Sequence, residues 1–344
     1  MMEAPMASAT TAAPAALTDS FGRSITDLRI SVTERCNYRC LYCRTGQGET
    51  PAAAAPSGEE LSWAELERLA RAFVGLGIRK VRLTGGEPLL RPGLVDFVAT
   101  VAALGVTDIA LTTNGHLLAP LAAPLRRAGL TRVTVSLDSL QPDNFARITR
   151  VPGGLDRVLE ALDAAAAAGL WPLKVNVVLL RGYNDAEIED FARFARRRDC
   201  VVRFIEFMPL EQGSLWSRDR VVPMDEIVQR ISRVHALDPL PRKPGETACR
   251  YRFHDGADGE IGIVAPVTSP FCNQCTRIRV TADGKLRTCL FSLREWDLKP
   301  ALRDSDGAAL ADRIRRAVAQ KEERHHIGEP GFVKPARGMV QIGG

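Results

Sequence analysis

Six of the eight cysteines fall into two sets of three: Cys36, Cys40 and Cys43 near one end of the chain, and Cys272, Cys275 and Cys289 near the other. Each set is one thiolate short of the four that close a zinc or iron-sulfur site, so a metal centre held by either would keep an open position. The first set has the spacing C-x3-C-x2-C, in CNYRCLYC. Structural zinc sites favour paired C-x2-C knuckles or mixed Cys and His, and no histidine lies within seventy residues of Cys43. Three thiolates wrapped around one body suit a 4Fe-4S cluster, with the fourth iron left for a small molecule. The competing reading is three cysteines packed as small apolar residues.

In the second set, Cys272 and Cys275 form a C-x2-C knuckle, and thirteen residues separate Cys275 from Cys289. A turn at Asp283-Gly284 between two short strand-like runs would return Cys289 to the knuckle. A zinc site completed by Cys249 or His254 is one reading of this spacing. Against it stand Arg277 and Arg279, which alternate along a strand, face one side and could clamp an anion beside the cysteines.

These residues need a scaffold, and the pattern between the two sets supplies one. Apolar β-branched runs at 27–32, 78–83, 107–112, 132–137, 173–180 and 202–207 alternate with amphipathic stretches at 62–75, 91–104, 117–128, 154–168 and 185–197. Six such units predict an α/β fold with a parallel sheet, either open and doubly wound or curved into a partial barrel. In both, ligands gather at the C-terminal ends of the strands. The loops at 36–43, 85–88, 112–115, 136–139 and 206–208 all begin there.

Composition bounds the function. The chain has 344 residues, 45% of them hydrophobic, enough for one large domain or a domain with an appendage. The sequence predicts no membrane span and no secretory leader, hence a cytoplasmic protein, and the clustering of the cysteines favours metal ligation over disulfides. Cys200 and Cys249 are expected to be plain core or loop thiols. The net charge of +5 is mild and aromatics are only 6% of the chain, with none between Cys272 and Cys289. A zinc-stabilised nucleic-acid-binding protein, which needs a basic patch with interleaved aromatics, is therefore a weak alternative. Seven of the 46 basic residues are lysine and the rest arginine, so a lone arginine carries little weight. Residues 1–21 read as a mobile tail, 46–58 and 148–154 as loops, and the adjacent His325 and His326, placed on a helix, as diverging surface residues.

CNYRCLYC, with Tyr42 directly before the third cysteine, resembles the signature of the radical S-adenosylmethionine (SAM) enzymes, and TGGEP at 84–88 resembles the loop that holds the methionyl amino group in that superfamily. Joined to the second set, to C-x2-C-T-R-x-R and to the terminal Gly343-Gly344, the resemblance narrows to the GTP 3′,8-cyclase family of molybdenum cofactor biosynthesis, from about residue 22 to the end. It implies an incomplete (β/α)6 barrel at 22–235 and a C-terminal segment, 236–344, that covers the open side. It also implies two 4Fe-4S clusters with three cysteines each. A 5′-deoxyadenosyl radical would abstract hydrogen from C3′ of GTP, the carbon radical would attack C8, and reduction would give 3′,8-cyclo-7,8-dihydro-GTP. By family position Tyr42, Gly86, Ser136 and Met208 would line the SAM site. Arg29, Arg82, Thr112, Lys174, Arg277 and Arg279 would contact GTP, with the second cluster's open iron on the base, and Gly343 and Gly344 would reach into the site. An external electron donor and a cyclic pyranopterin monophosphate synthase acting on the product are implied partners, and a homodimer is compatible with all of this. The alternative within the superfamily is a peptide- or sulfatase-maturing enzyme, which would usually carry more C-terminal cysteines.

Overall fold

A computed structural model describes residues 16–43, 59–211, 213–304 and 307–343. The expected loop at 46–58, the first fifteen residues of the expected tail and Gly344 lie outside the described residues. Twelve strands form one sheet: β1 (Asp27–Ser31), β2 (Lys80–Thr84), β3 (Asp108–Thr113), β4 (Arg132–Ser136), β5 (Lys174–Leu179), β6 (Val201–Glu206), β7 (Leu237–Leu240), β8 (Cys249–Phe253), β9 (Glu260–Val264), β10 (Arg277–Val280), β11 (Lys285–Arg287) and β12 (Trp296–Asp297). Their order is β12-β11-β10-β1-β2-β3-β4-β5-β6-β9-β8-β7, so the sheet does not close on itself. The expected six strands are present and consecutive. Two more, β10 beside β1 and β9 beside β6, join them in parallel. Strands from both sides of residue 235 thus share the sheet.

The strands alternate because their two faces meet different surroundings. Leu28, Ile30, Val81, Leu83, Ile109, Leu111, Val133, Val135, Val175, Val177, Val202 and Phe204 are buried against the helices. The other face turns inward and carries Arg29, Arg82, Thr112, Thr134, Lys174, Asn176, Arg203 and Arg279 in adjacent registers, Arg29 opposite both Arg279 and Arg82, Thr134 opposite Lys174, and Asn176 opposite Arg203. A closed (β/α)8 barrel fills that space with branched apolar side chains. Here it is lined by cations and hydrogen-bonding groups, which marks it as a place for a polar ligand.

The outer layer contains α1 (Trp63–Gly75), α2 (Leu94–Ala103), α3 (Ala122–Arg127), α4 (Pro142–Thr149), α5 (Gly154–Ala167) and α6 (Ile188–Arg198). Ser62 and Glu65 close a capping box on α1, whose Leu66, Leu69 and Phe73 are fully buried. The expected loop at 148–154 begins as the last turn of α4, a helix started by Pro142 at its first turn. The packed chain begins before residue 22. Leu17 and Asp19 are buried, and the Asp19 carboxylate holds the Arg23 guanidinium at 2.6 Å.

Candidate active site

The first cysteine loop leaves β1 and is fixed by backbone contacts on two sides, with side-chain bonds such as Asn114 to Asn37 at 2.8 Å beside them. The amides of Arg39 and Leu41 donate to the carbonyls of Thr149 and Ile148, groups that the C-terminus of α4 leaves without helical partners. On the other side, the amides of Gly86 and Glu87 donate to the carbonyls of Thr33 and Arg35 at 2.8 and 2.7 Å. A Cβ on Gly86 would lie 2.2 Å from the Arg35 oxygen, and one on Gly85, at φ 151°, would lie 2.4 Å from that of Thr33. Only glycines let this loop approach the cysteine loop so closely. The Glu87 carboxylate beneath accepts from Thr113 Oγ1 and from the amides of Asn114 and Leu89, and burial pushes its pKa up to about 7. The Tyr42 hydroxyl donates to Asp138 at 2.7 Å, whose other oxygen takes the Val178 amide, and burial raises Asp138 to about 6.

The second cysteine set is fixed by side chains. Arg23 donates to the carbonyls of Cys272, Glu322 and Glu323 at 2.6 to 2.9 Å. The Lys321 ammonium donates to the carbonyls of Arg277 and Thr288. β10 and β11 form the expected antiparallel hairpin around Asp283-Gly284, and this brings Cys289 back to the knuckle. Arg277 Nη2 lies 3.5 Å from Cys275 Sγ. Although burial works to raise the Cys275 thiol, the cations of Arg277 and Lys321 bring it down to about 6.

Both sets border one cavity. Its wall holds all six cysteines together with Tyr42, Gly86, Ser136, Met208, Arg29, Thr112, Arg277 and Arg279. Arg82 and Lys174 lie instead on an adjoining cavity towards the N-terminal ends of the strands, and the two cavities share Arg29, Arg203, Thr247 and Arg277. Gly343 stands behind Arg279, its carbonyl taking Arg279 Nη1 at 2.6 Å, and a Cβ there would press on Ser31 and Thr84. The expectation for His325 is corrected. The chain is not helical there, and burial of the ring on the cavity wall brings its pKa down to about 4, whereas His326 is exposed as expected. Cys200 is buried and Cys249 half-buried.

The cations inside the sheet find only neutral acceptors. Arg82 donates to Thr112 and Thr134, Arg203 to Asn176 and Arg279 to the Gly343 carbonyl, while Arg29 and Lys174 have no hydrogen-bond or ion-pair partner among the described residues. Withdrawal from water and mutual repulsion lower their pKa values, Arg82 to about 9, Arg203 and Arg279 to about 10 and Lys174 to about 7, with Arg29 also well below its usual value. Asp27, Asp108, Glu246 and Glu260 border the adjoining cavity but pair with Lys80, Arg132 and Arg250, so the recessed positive charges still call for an anion carrying several negative charges. Sequence reasoning missed Arg203. Its signal was the alternation in VRFIEF, obscured by the abundance of arginine.

The donor sets fit the implied clusters: all six cysteines are free thiols, and each set opens onto the cavity where a fourth ligand would come from solvent or substrate. Among the described residues no three His, Cys, Asp or Glu side chains converge on a point at single-ion distances. Three sulfurs on three different irons are spread around a body instead. Among the same residues no helix is long and apolar enough to cross a membrane.

Residues 30–195 match the Radical SAM superfamily and residues 200–327 match Molybdenum Cofactor Synthesis C. The chain is 48% identical over 315 residues to a GTP 3′,8-cyclase of Acidothermus cellulolyticus, covering 89% of this chain and 87% of the relative. It is 46% identical over 329 residues to that of Geobacter sulfurreducens, covering 95% and 99%. Among solved structures, Streptococcus suis SuiB bound to S-adenosylmethionine superposes with a TM-score of 0.60 at 13% identity, over 86% of this chain and 68% of SuiB. Native anSMEcpe with bound AdoMet does so with a TM-score of 0.54 at 14% identity, over 87% and 82%. At such identities the two structures speak for the fold alone.

Proposed function

The chain belongs to the GTP 3′,8-cyclase family of radical SAM enzymes, which carries out the first step of molybdenum cofactor biosynthesis, and we propose how its own residues divide that work. Cys36, Cys40 and Cys43 hold one 4Fe-4S cluster, and Tyr42, Gly86, Ser136 and Met208 border the SAM bound to it. Cys272, Cys275 and Cys289 hold a second cluster whose open position faces the guanine. When bound, the first cluster and SAM supply the 5′-deoxyadenosyl radical that takes hydrogen from C3′ of GTP, so that C3′ can close onto C8.

The protein's part is to bind, orient and keep dry. The observation that carries the substrate assignment is the line of recessed cations, none in an ion pair with a carboxylate among the described residues, that begins beside the second cysteine set and runs through both cavities. Arg277 and Arg279 start it, Arg29 and Arg203 continue it, and Arg82 and Lys174 end it, with Thr112 on the side. A triphosphate matches the far part of that row, Arg29, Arg203, Arg82 and Lys174, and its opposite end would then place the base beside Arg277 at Cys272, Cys275 and Cys289. Gly343 accepts from Arg279 and so sets the direction of its guanidinium. Phe271, Leu290 and Phe291 give the base end apolar walls. An external reductant, a downstream synthase that consumes the cyclised nucleotide, a cytoplasmic setting and a homodimer belong to the same proposal.

The test is turnover of anaerobically reconstituted protein with GTP, SAM and dithionite. The reading expects 5′-deoxyadenosine and a cyclised GTP product together. Deoxyadenosine that forms without consumption of GTP would keep the radical chemistry and remove the substrate.

A further inference from the structure

His325 belongs to none of the roles above, yet it sits on the cavity wall beside the second cysteine set. Its backbone amide donates to Cys272. Its Nδ1 accepts the amide of Ile327 at 3.2 Å, and its ring lies against Phe291 with centroids 5.4 Å apart. A nitrogen that accepts a backbone N–H carries no proton of its own, so this ring is the neutral tautomer with its hydrogen on Nε2. No described residue accepts from Nε2. The segment that carries the ring is held firmly by Arg23 on the Glu322 and Glu323 carbonyls, by Lys321 on Thr288 and Arg277, and by the Thr288 hydroxyl on Glu322 at 2.7 Å.

Beside the second cysteine set the wall carries Arg277 and His325, both donors, together with Arg279, which is engaged by Gly343, and Thr288, whose hydroxyl hydrogen is given to Glu322. Guanine presents two neighbouring acceptors, N7 and O6, on one edge, whereas adenine presents an acceptor and an amino donor. We propose that His325 is a specificity-determining residue, whose Nε2–H donates to O6 of the guanine while Arg277 faces N7, so that the wall takes guanine and turns adenine away. This rests on the reading that the second cysteine set holds the base end of the nucleotide. N7 is common to both purines, so on this edge of the base the discrimination falls to the donor opposite position 6. An adenine amino group there would leave two donors facing each other.

The experiment compares equilibrium binding of GTP and ATP to anaerobically reconstituted wild type, His325→Phe and His325→Gln, with iron counted in each. Phenylalanine keeps the ring against Phe291 and removes the donor, whereas glutamine retains an N–H at about the reach of Nε2. The proposal expects His325→Phe to weaken GTP about five- to tenfold with ATP unchanged or tighter, and His325→Gln to keep the wild-type preference. Equal weakening of both nucleotides in His325→Phe, or a fall in its iron content, would overturn it by making His325 a structural residue. Wild type that fails to bind GTP in preference to ATP would instead overturn the substrate reading beneath it.

Discussion

The two cysteine sets face the same cavity but are built from different materials. Around Cys36, Cys40 and Cys43 much of the framework is backbone, through Gly85, Gly86 and the last carbonyls of α4, joined by the side-chain contacts Asn37–Asn114, Tyr38–His116 and Tyr42–Asp138. Cys40 is raised well above its usual pKa by withdrawal from water, with Asp138 and its fellow cysteines adding to the rise. Around Cys272, Cys275 and Cys289 side-chain contacts come from Arg23, Arg277 and Lys321, and the cations prevail over burial at Cys275, while burial prevails at Cys272 and Cys289 and raises both. A site shaped by backbone suits a ligand with a fixed local outline, such as an amino-acid chelate. One surrounded by guanidinium groups suits an anion that arrives and leaves, and the row of cations extends from that side only. The contrast accords with the proposed division, in which one set serves to make the radical and the other to hold what the radical attacks.

Substitutions can break or sharpen this contrast. The largest effect is expected from Cys36→Ala, which should bring SAM cleavage down to background while GTP still binds. GTP binding lost together with cleavage would show that the two sites do not act separately. Arg203→Ala comes next. Removing one charged contact should weaken GTP by about 1.5–3 kcal/mol, roughly ten- to a hundredfold, with SAM affinity unchanged in the same titrations. An unaltered GTP affinity would take Arg203 out of the row.

The smallest effect is one of pH. In the free protein Lys174 has its pKa lowered to about 7, chiefly by withdrawal from water and then by Arg203. A triphosphate beside it favours the charged form, so binding must draw in a proton once the pH exceeds that value. The part of the GTP affinity that depends on Lys174 should accordingly be complete below pH 7 and decline as the pH rises, by at most about tenfold per unit. Lys174→Arg should flatten the profile. Calorimetry in buffers of different ionisation enthalpy should show proton uptake at pH 8 that the variant lacks.

Much of this was legible because the barrel's inner face breaks the usual habit of parallel strands. A strand buried on both faces is continuously apolar, whereas β1, β2, β4 and β5 alternate, and the polar half of the alternation is the ligand surface. The six central strands and the cysteine loops at their ends could therefore be read together. β9 and β10 could not be assigned to the same sheet, since short strands so far along the chain give no sign of their partners, and β10 returns to pair with β1 at the other end of the sequence. α4 has only eight residues, too few for a clear period, although Pro142 at its first turn was a fair signal. At His325 the chain departs from the expected helix. His326 adopts φ 56° there, which turns the chain and sends the two rings apart, one to the cavity and one to solvent.

The separation of roles between the two cysteine sets is tested most directly by Cys272→Ala, assayed anaerobically with GTP, SAM and dithionite for both 5′-deoxyadenosine and cyclised nucleotide. The account predicts that deoxyadenosine continues to form, uncoupled from substrate, while the cyclised product disappears. Equal loss of both would contradict it, because the second set would then be needed to make the radical and not to hold its target.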